Sequence, residues 1–139
     1  MSDEATISEV ILLLGGLTQD AEFYQELGEL FSKVGRGDAA DAAYSESLRL
    51  DPCDAFTHLY IGNRHYQKEE YEEALESFEY ATGLLPDVAV CYWCQANVYE
   101  KQERYGLAEE FYERAVEVDP ADRGARRQLR RWKKRRRVL

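Results

Sequence analysis

The sequence predicts an all-α fold, an α-solenoid of three successive helix-turn-helix units with a further helix at each end. Three observations carry this expectation. A set of small and aromatic positions returns every 34 residues; all three prolines fall on that period; and within each half-unit the apolar residues sit three, four and seven apart, the spacing of one helix face.

The period is plainest in the stretch KEEYEEALESFEYATGLLPD, residues 68–87. Its Ala74, Phe78, Ala81 and Pro86 recur 34 residues later as Ala108, Tyr112, Ala115 and Pro120, and 34 residues earlier as Ala40, Tyr44, Ser47 and Pro52. The preceding half of each unit follows the same rule: Tyr24, Leu27, Gly28 and Phe31, then His58, Ile61, Gly62 and His65, then Tyr92, Gln95, Ala96 and Tyr99.

Residues 1–20 read as an N-terminal capping helix: Ser2 or Asp3 can cap it, Ile7, Val10, Ile11 and Leu14 form its apolar stripe, and Gly15-Gly16 ends it. Three units follow, over 21–54, 55–88 and 89–122. In the first helix of each, Gly28, Gly62 or Ala96 is small enough to let a second backbone approach. In the second, a ring (Tyr44, Phe78, Tyr112) stands between small residues able to receive it. Pro52, Pro86 and Pro120 lack a backbone N–H and restrict the residue before them, so each ends a helix. Residues 123–139 read as a C-terminal basic capping helix, with Asp122 as its cap and Ala125, Leu129 and Trp132 on one face. Such helices are needed because the ends of a stacked array would otherwise expose apolar surface.

Length and composition bound the rest. With 139 residues and 45% hydrophobic content, the chain supports one domain with a real core. The apolar run Val10 to Leu14 falls far short of the ~20 residues of a membrane-spanning helix. The start, MSDEAT, is acidic where a secretory signal would be basic, which predicts a cytoplasmic protein. Three cysteines, an odd count, argue for reduced thiols rather than a disulfide framework. The net charge of −9 is unevenly spread. Every acidic residue precedes position 123, whereas residues 123–139 carry a dense run of arginines and lysines.

The repeated pattern resembles the tetratricopeptide repeat, a 34-residue helix-turn-helix unit marked by W-x2-L-G-x2-Y, then A-x3-F, then P. Departures are His58 and His65 at aromatic positions, Ser47 at a small one and Gln95 at an apolar one, which predict looser packing or exposure there. The resemblance implies a right-handed superhelix whose first helices line a concave groove.

Candidates for chemistry have blander readings. Glu73, Glu76 and Glu79 share a helical face, but the Glu-x-x-His pattern of di-metal bundles is missing, so these carboxylates read as a solvated face. Cys91-x-x-Cys94 has metal or redox spacing, and His58 with His65 could complete a ligand set; yet the cysteines lie inside a repeat helix rather than on a turn, where buried cysteine behaves as a small apolar residue. No metal, cofactor or catalytic residue is expected, and the chain reads as a non-enzyme.

What remains is binding. In the repeat family the partner meets recurring positions of the first helices, which here are acidic in the first unit (Glu22, Glu26 and Glu29, with Gln25 among them) and aromatic and apolar in the next two. The partner-binding groove implied by the resemblance comprises Phe56, Leu59, Tyr60, Asn63 and Tyr66 of the second unit and Trp93, Asn97 and Lys101 of the third. Its alternative is that some of these rings pack beneath the terminal helices. The carboxylate clamp of chaperone-binding members is missing, since its positions hold Gln25, Glu29, Val90 and Cys94. The expected function is a protein-interaction adaptor or scaffold that binds a peptide segment. One alternative is a chaperone like those holding type III secretion translocators, an architectural likeness. Another is nucleic-acid or anionic-surface binding through the tail, opposed by the acidic body, whose own carboxylates are the nearest polyanion and allow self-association through body and tail.

Overall fold

The computed structural model describes residues 19–138. Among them are seven α-helices and no strand: α1 Ala21–Lys33, α2 Gly37–Leu50, α3 Ala55–Gln67, α4 Tyr71–Leu84, α5 Ala89–Lys101, α6 Tyr105–Val118 and α7 Arg123–Arg136. Apart from Gln19 and Asp20, the expected N-terminal capping helix, with Ile7, Val10, Ile11 and Leu14, lies outside the described residues.

Helices pack in sequential pairs, α1 with α2, α3 with α4 and α5 with α6, and each pair leans on the next. The contact within a pair is a ring over a small residue. A Cβ on Gly28 would stand 2.5 Å from Cε1 of Tyr44, and one on Gly62 would stand 2.6 Å from Cε1 of Phe78. Both rings are fully buried, as are Tyr112 and the repeat-position alanines Ala40, Ala74, Ala81, Ala108 and Ala115. The glycines therefore set how closely two helices approach, and the rings fill the space left.

Side-chain caps open α1, α3 and α7, whereas α5, preceded by Val88, has none. Asp20 accepts from the Phe23 amide (2.9 Å), Asp54 from the Phe56 amide (3.0 Å), and Asp122 from the Ala125 amide (3.0 Å), each satisfying an end donor of α1, α3 or α7. Inside a pair the turn is made differently. Gly35, Glu69 and Glu103 occupy the left-handed region with φ of 80°, 61° and 60°. The next residue's amide then reaches back to the preceding helix: Arg36 to Phe31 O, Glu70 to His65 O and Arg104 to Tyr99 O. This is a Schellman-type ending, and glycine adopts it without cost where glutamate does not.

Two expectations are corrected. Ser47 and Gln95 were predicted to mark looser or exposed packing; both are buried. The Ser47 hydroxyl donates to Ala21 O (2.8 Å) and lies 3.2 Å from Thr57 Oγ1, and Gln95 Nε2 donates to Thr82 Oγ1 (2.8 Å) and Cys91 O (3.2 Å). Internal partners replace water, so these polar groups sit in the core without an orphaned donor. His58 keeps an aromatic role, its ring 4.3 Å from that of Tyr80 and its Nε2 2.9 Å from Pro52 O. His65 pairs with Glu70 at 3.1 Å.

α7 packs against the third pair. Ala125 and Trp132 are buried and Leu129 packs on the same cluster, with the Trp132 ring stacked 5.8 Å from Tyr112. Arg135 and Arg136 turn back onto the body and pair with Glu100 and Glu109.

Candidate functional site

The helices α1, α3, α5 and α7 contribute to one side of the molecule, and the links between them are direct. Tyr60 on α3 places its hydroxyl 3.4 Å from Glu29 on α1, while Tyr66 on α3 shares a cleft of about 350 Å3 with residues of α5 and α7. This side is the candidate peptide groove.

At its amino end α1 presents Glu22 and Glu26, both exposed, with Gln25 and Glu29 half-buried beside Tyr60. The Tyr60 ring lies parallel to buried Tyr44 at 5.5 Å, which fixes its position. Burial, then the Glu29 carboxylate, push its hydroxyl pKa up, so Tyr60 stays a neutral donor. Lys33 pairs with Glu29 at 3.2 Å. One turn to either side of Tyr60, Phe56 is 47% exposed and Asn63 is exposed, so a ring and an amide face solvent from the same stripe of α3.

Leu59 departs from the expectation. It is only 8% exposed and belongs to the core cluster with Ala55, Ala74 and Phe78, so it supports the groove rather than lining it. Trp93 is half-buried and packs against Gly124 at the start of α7, the alternative arrangement beneath a terminal helix. Asn97 is half-buried with its side-chain amide against the Tyr112 hydroxyl, and Lys101 is exposed.

The carboxyl end is built around Glu100. It accepts the Tyr112 hydroxyl at 2.9 Å and takes two bonds from Arg135, Nε to Oε2 and Nη2 to Oε1, both 2.8 Å. This fork consumes the carboxylate. The hydrogen bond to Glu100 raises the Arg135 pKa, and burial first, then Glu100, raises that of Tyr112. Around this core the cleft is walled by Tyr66, Asn97, Lys101, Gln128 and Arg131. The α7 members of that wall were missed by a reading based on repeat positions. Their signal is their spacing, Gln128, Arg131 and Arg135 at i, i+3 and i+7, beside the apolar stripe of Leu129 and Trp132.

The thiols lie apart. Cys91 is buried, its pKa raised by burial, and Cys94 is half-buried in side-chain terms with its thiol pushed up to about 12 by burial, which disfavours the nucleophilic thiolate. His58 and His65 are engaged with Pro52 and Glu70 rather than with these cysteines. Among the described residues no group of three or more His, Cys, Asp or Glu is arranged to hold a metal ion, and no helix is long and apolar enough to cross a membrane.

Comparison with known proteins gives two tetratricopeptide-repeat family matches, over residues 21–52 and 89–122. Among curated proteins, the human protein O-mannosyl-transferase TMTC1 is 29% identical over 103 residues, covering 71% of this chain and 12% of that protein. The human mitochondrial import receptor subunit TOM70 is 26% identical over 112 residues, covering 73% and 18%. The chain thus spans less than a fifth of the length of these relatives. Among solved structures, the first tetratricopeptide domain of Spaghetti (RPAP3) bound to the HSP90 peptide SRMEEVD superposes with a TM-score of 0.73 at 20% identity, covering 85% of this chain and 94% of that one. MamA superposes with a TM-score of 0.73 at 19% identity, covering 93% and 74%.

Proposed function

Because the chain belongs to the tetratricopeptide-repeat family, we propose that it is a non-enzymatic adaptor or scaffold holding an extended peptide segment of a partner protein in the groove of its first helices. The observation that carries this reading is the α3 stripe. Exposed Phe56 and Asn63 flank a Tyr60 ring that is already locked on Tyr44, so an apolar anchor and an amide able to donate and accept are presented with little ordering left to do on binding. The peptide-bound RPAP3 domain supports the same use of the fold by analogy. The reading places the chain in the cytoplasm, a reducing compartment in which Cys53, Cys91 and Cys94 stay thiols.

A second reading, binding of nucleic acid or another polyanion through the outward face of α7, draws on Arg123, Arg126, Arg127 and Arg130, which line one surface hollow. It predicts affinity that falls steeply with salt.

The test is quantitative capture of partner from the native source by the intact chain and by a Phe56→Ala/Asn63→Ala variant. Both side chains are exposed, so the variant keeps its melting temperature. The adaptor reading expects partner recovery to fall about tenfold or more, in line with loss of an anchor worth about 2 kcal/mol. Undiminished recovery by a folded variant contradicts it.

A further inference from the structure

We propose that the cleft between α3, α5 and α7 is a subsite for the side-chain carboxylates of an acidic partner segment, with Lys101 and Arg131 as its charge partners. The inference rests on the adaptor reading and adds the chemistry of what the groove takes.

Positive charge exceeds negative charge within the cleft. The lining brings together the cations of Lys101, Arg131 and Arg135 and one carboxylate, Glu100. Glu100 is already neutralised by the two-bond fork from Arg135. Lys101 and Arg131 are exposed and form no ion pair with any described residue. Two cations on opposed helices therefore face an opening of about 350 Å3 in a chain whose net charge is −9. Asn97 and Gln128 supply amides between them, and the half-buried Tyr66 ring supplies a wall. Charge, hydrogen-bonding amides and a ring in one cleft are what an acidic peptide requires: the cations select carboxylates, and the amides bond to its backbone. The hollow of Arg123, Arg126, Arg127 and Arg130 on the outer face of α7 offers guanidinium groups alone, without amide or ring. The subsite is also separate from the positions of the chaperone clamp, which here hold Gln25, Glu29, Val90 and Cys94.

The experiment is fluorescence anisotropy at physiological salt with the full chain and a fluorescein-labelled Glu/Ala decapeptide, amidated at its C-terminus. The Lys/Ala counterpart and the free-acid form are run alongside. The subsite predicts that the amidated acidic peptide binds, that Lys101→Glu/Arg131→Glu weakens it about tenfold or more by placing like charges in the cleft, and that Arg126→Glu/Arg130→Glu, whose side chains line a separate hollow, changes it less than about twofold. Thermal melts confirm that each variant is folded. The proposal is overturned if the amidated peptide does not bind, if only the free acid binds, or if the outer-face variant loses as much as the cleft variant. Failure here is distinct from failure of the adaptor reading: a captured partner that is lost by Phe56→Ala/Asn63→Ala but held fully by Lys101→Glu/Arg131→Glu leaves the adaptor and removes the carboxylate subsite.

Discussion

The amino and carboxyl ends of the proposed groove use comparable faces of α1 and α5, yet the charges exposed at the two ends are opposite in sign. At the amino end Glu22 and Glu26 face solvent and Glu29 stands against Tyr60. At the carboxyl end the carboxylate of Glu100 is drawn inward by Arg135 and Tyr112, leaving Lys101 and Arg131 facing outward. The difference arises from what covers each helix. α5 is covered by α7, whose arginines outnumber the carboxylates they meet. The helix packed on the third pair thus sets the charge of that end of the proposed groove.

The largest expected effect comes from unseating α7. Trp132 is 1% exposed and stacks on Tyr112, so Trp132→Ala is expected to cost about 3–5 kcal/mol through lost burial and a cavity. Chemical denaturation should show the midpoint fall, and acidic-peptide binding should disappear with α7 while the α1 end remains; an unchanged midpoint would break the assignment of α7 as the source of the basic end. Next is the middle of the groove, through which both ends are held in register. Gly62→Ala drives a Cβ into the Phe78 ring and is expected to cost about 1–3 kcal/mol, measured the same way.

A smaller effect sharpens the contrast directly. Glu100→Gln removes the carboxylate from the Arg135 fork, with an expected loss of about 1 kcal/mol because both groups are partly solvated. The same change should strengthen acidic-peptide binding by releasing the Arg135 cation, whereas a weaker complex would show that Glu100 itself is a ligand contact. The smallest effect is a gain. Glu103 holds φ of 60° in the turn before α6, where the first repeat has Gly35 at 80°. Glu103→Gly relieves that backbone and should raise stability by up to about 1 kcal/mol, read as a higher melting temperature, with peptide binding unchanged.

What the sequence disclosed follows from where each constraint lies. Ala74, Phe78 and Ala81 were legible because helix pairing demands a ring between small residues at fixed spacing, and all three are buried in the structure. Ser47 and Gln95 were misread because their partners, the Ala21 carbonyl and Thr57 for one and Thr82 for the other, come from different helices, a complementarity that a period cannot display. Leu59 and Trp93 occupy groove positions by count, but the local packing of the core and of α7 against Gly124 draws them inward. Glutamate at the left-handed turns was unreadable from Glu69 or Glu103 alone; Gly35 at the matching position was the available hint. In the cleft, Lys101 was found because it sits within a repeat. Gln128, Arg131 and Arg135 follow the last repeat, where the period no longer assigns a face.

The most direct measurement is backbone amide chemical-shift mapping of the full chain on titration with the captured partner segment. The account predicts perturbations along α3 and α5 around Phe56, Asn63 and Lys101, continuing onto α7 at Gln128 and Arg131. Perturbations confined to the second helices, around Glu76 and Glu79 of α4 and Glu113 of α6, would contradict it.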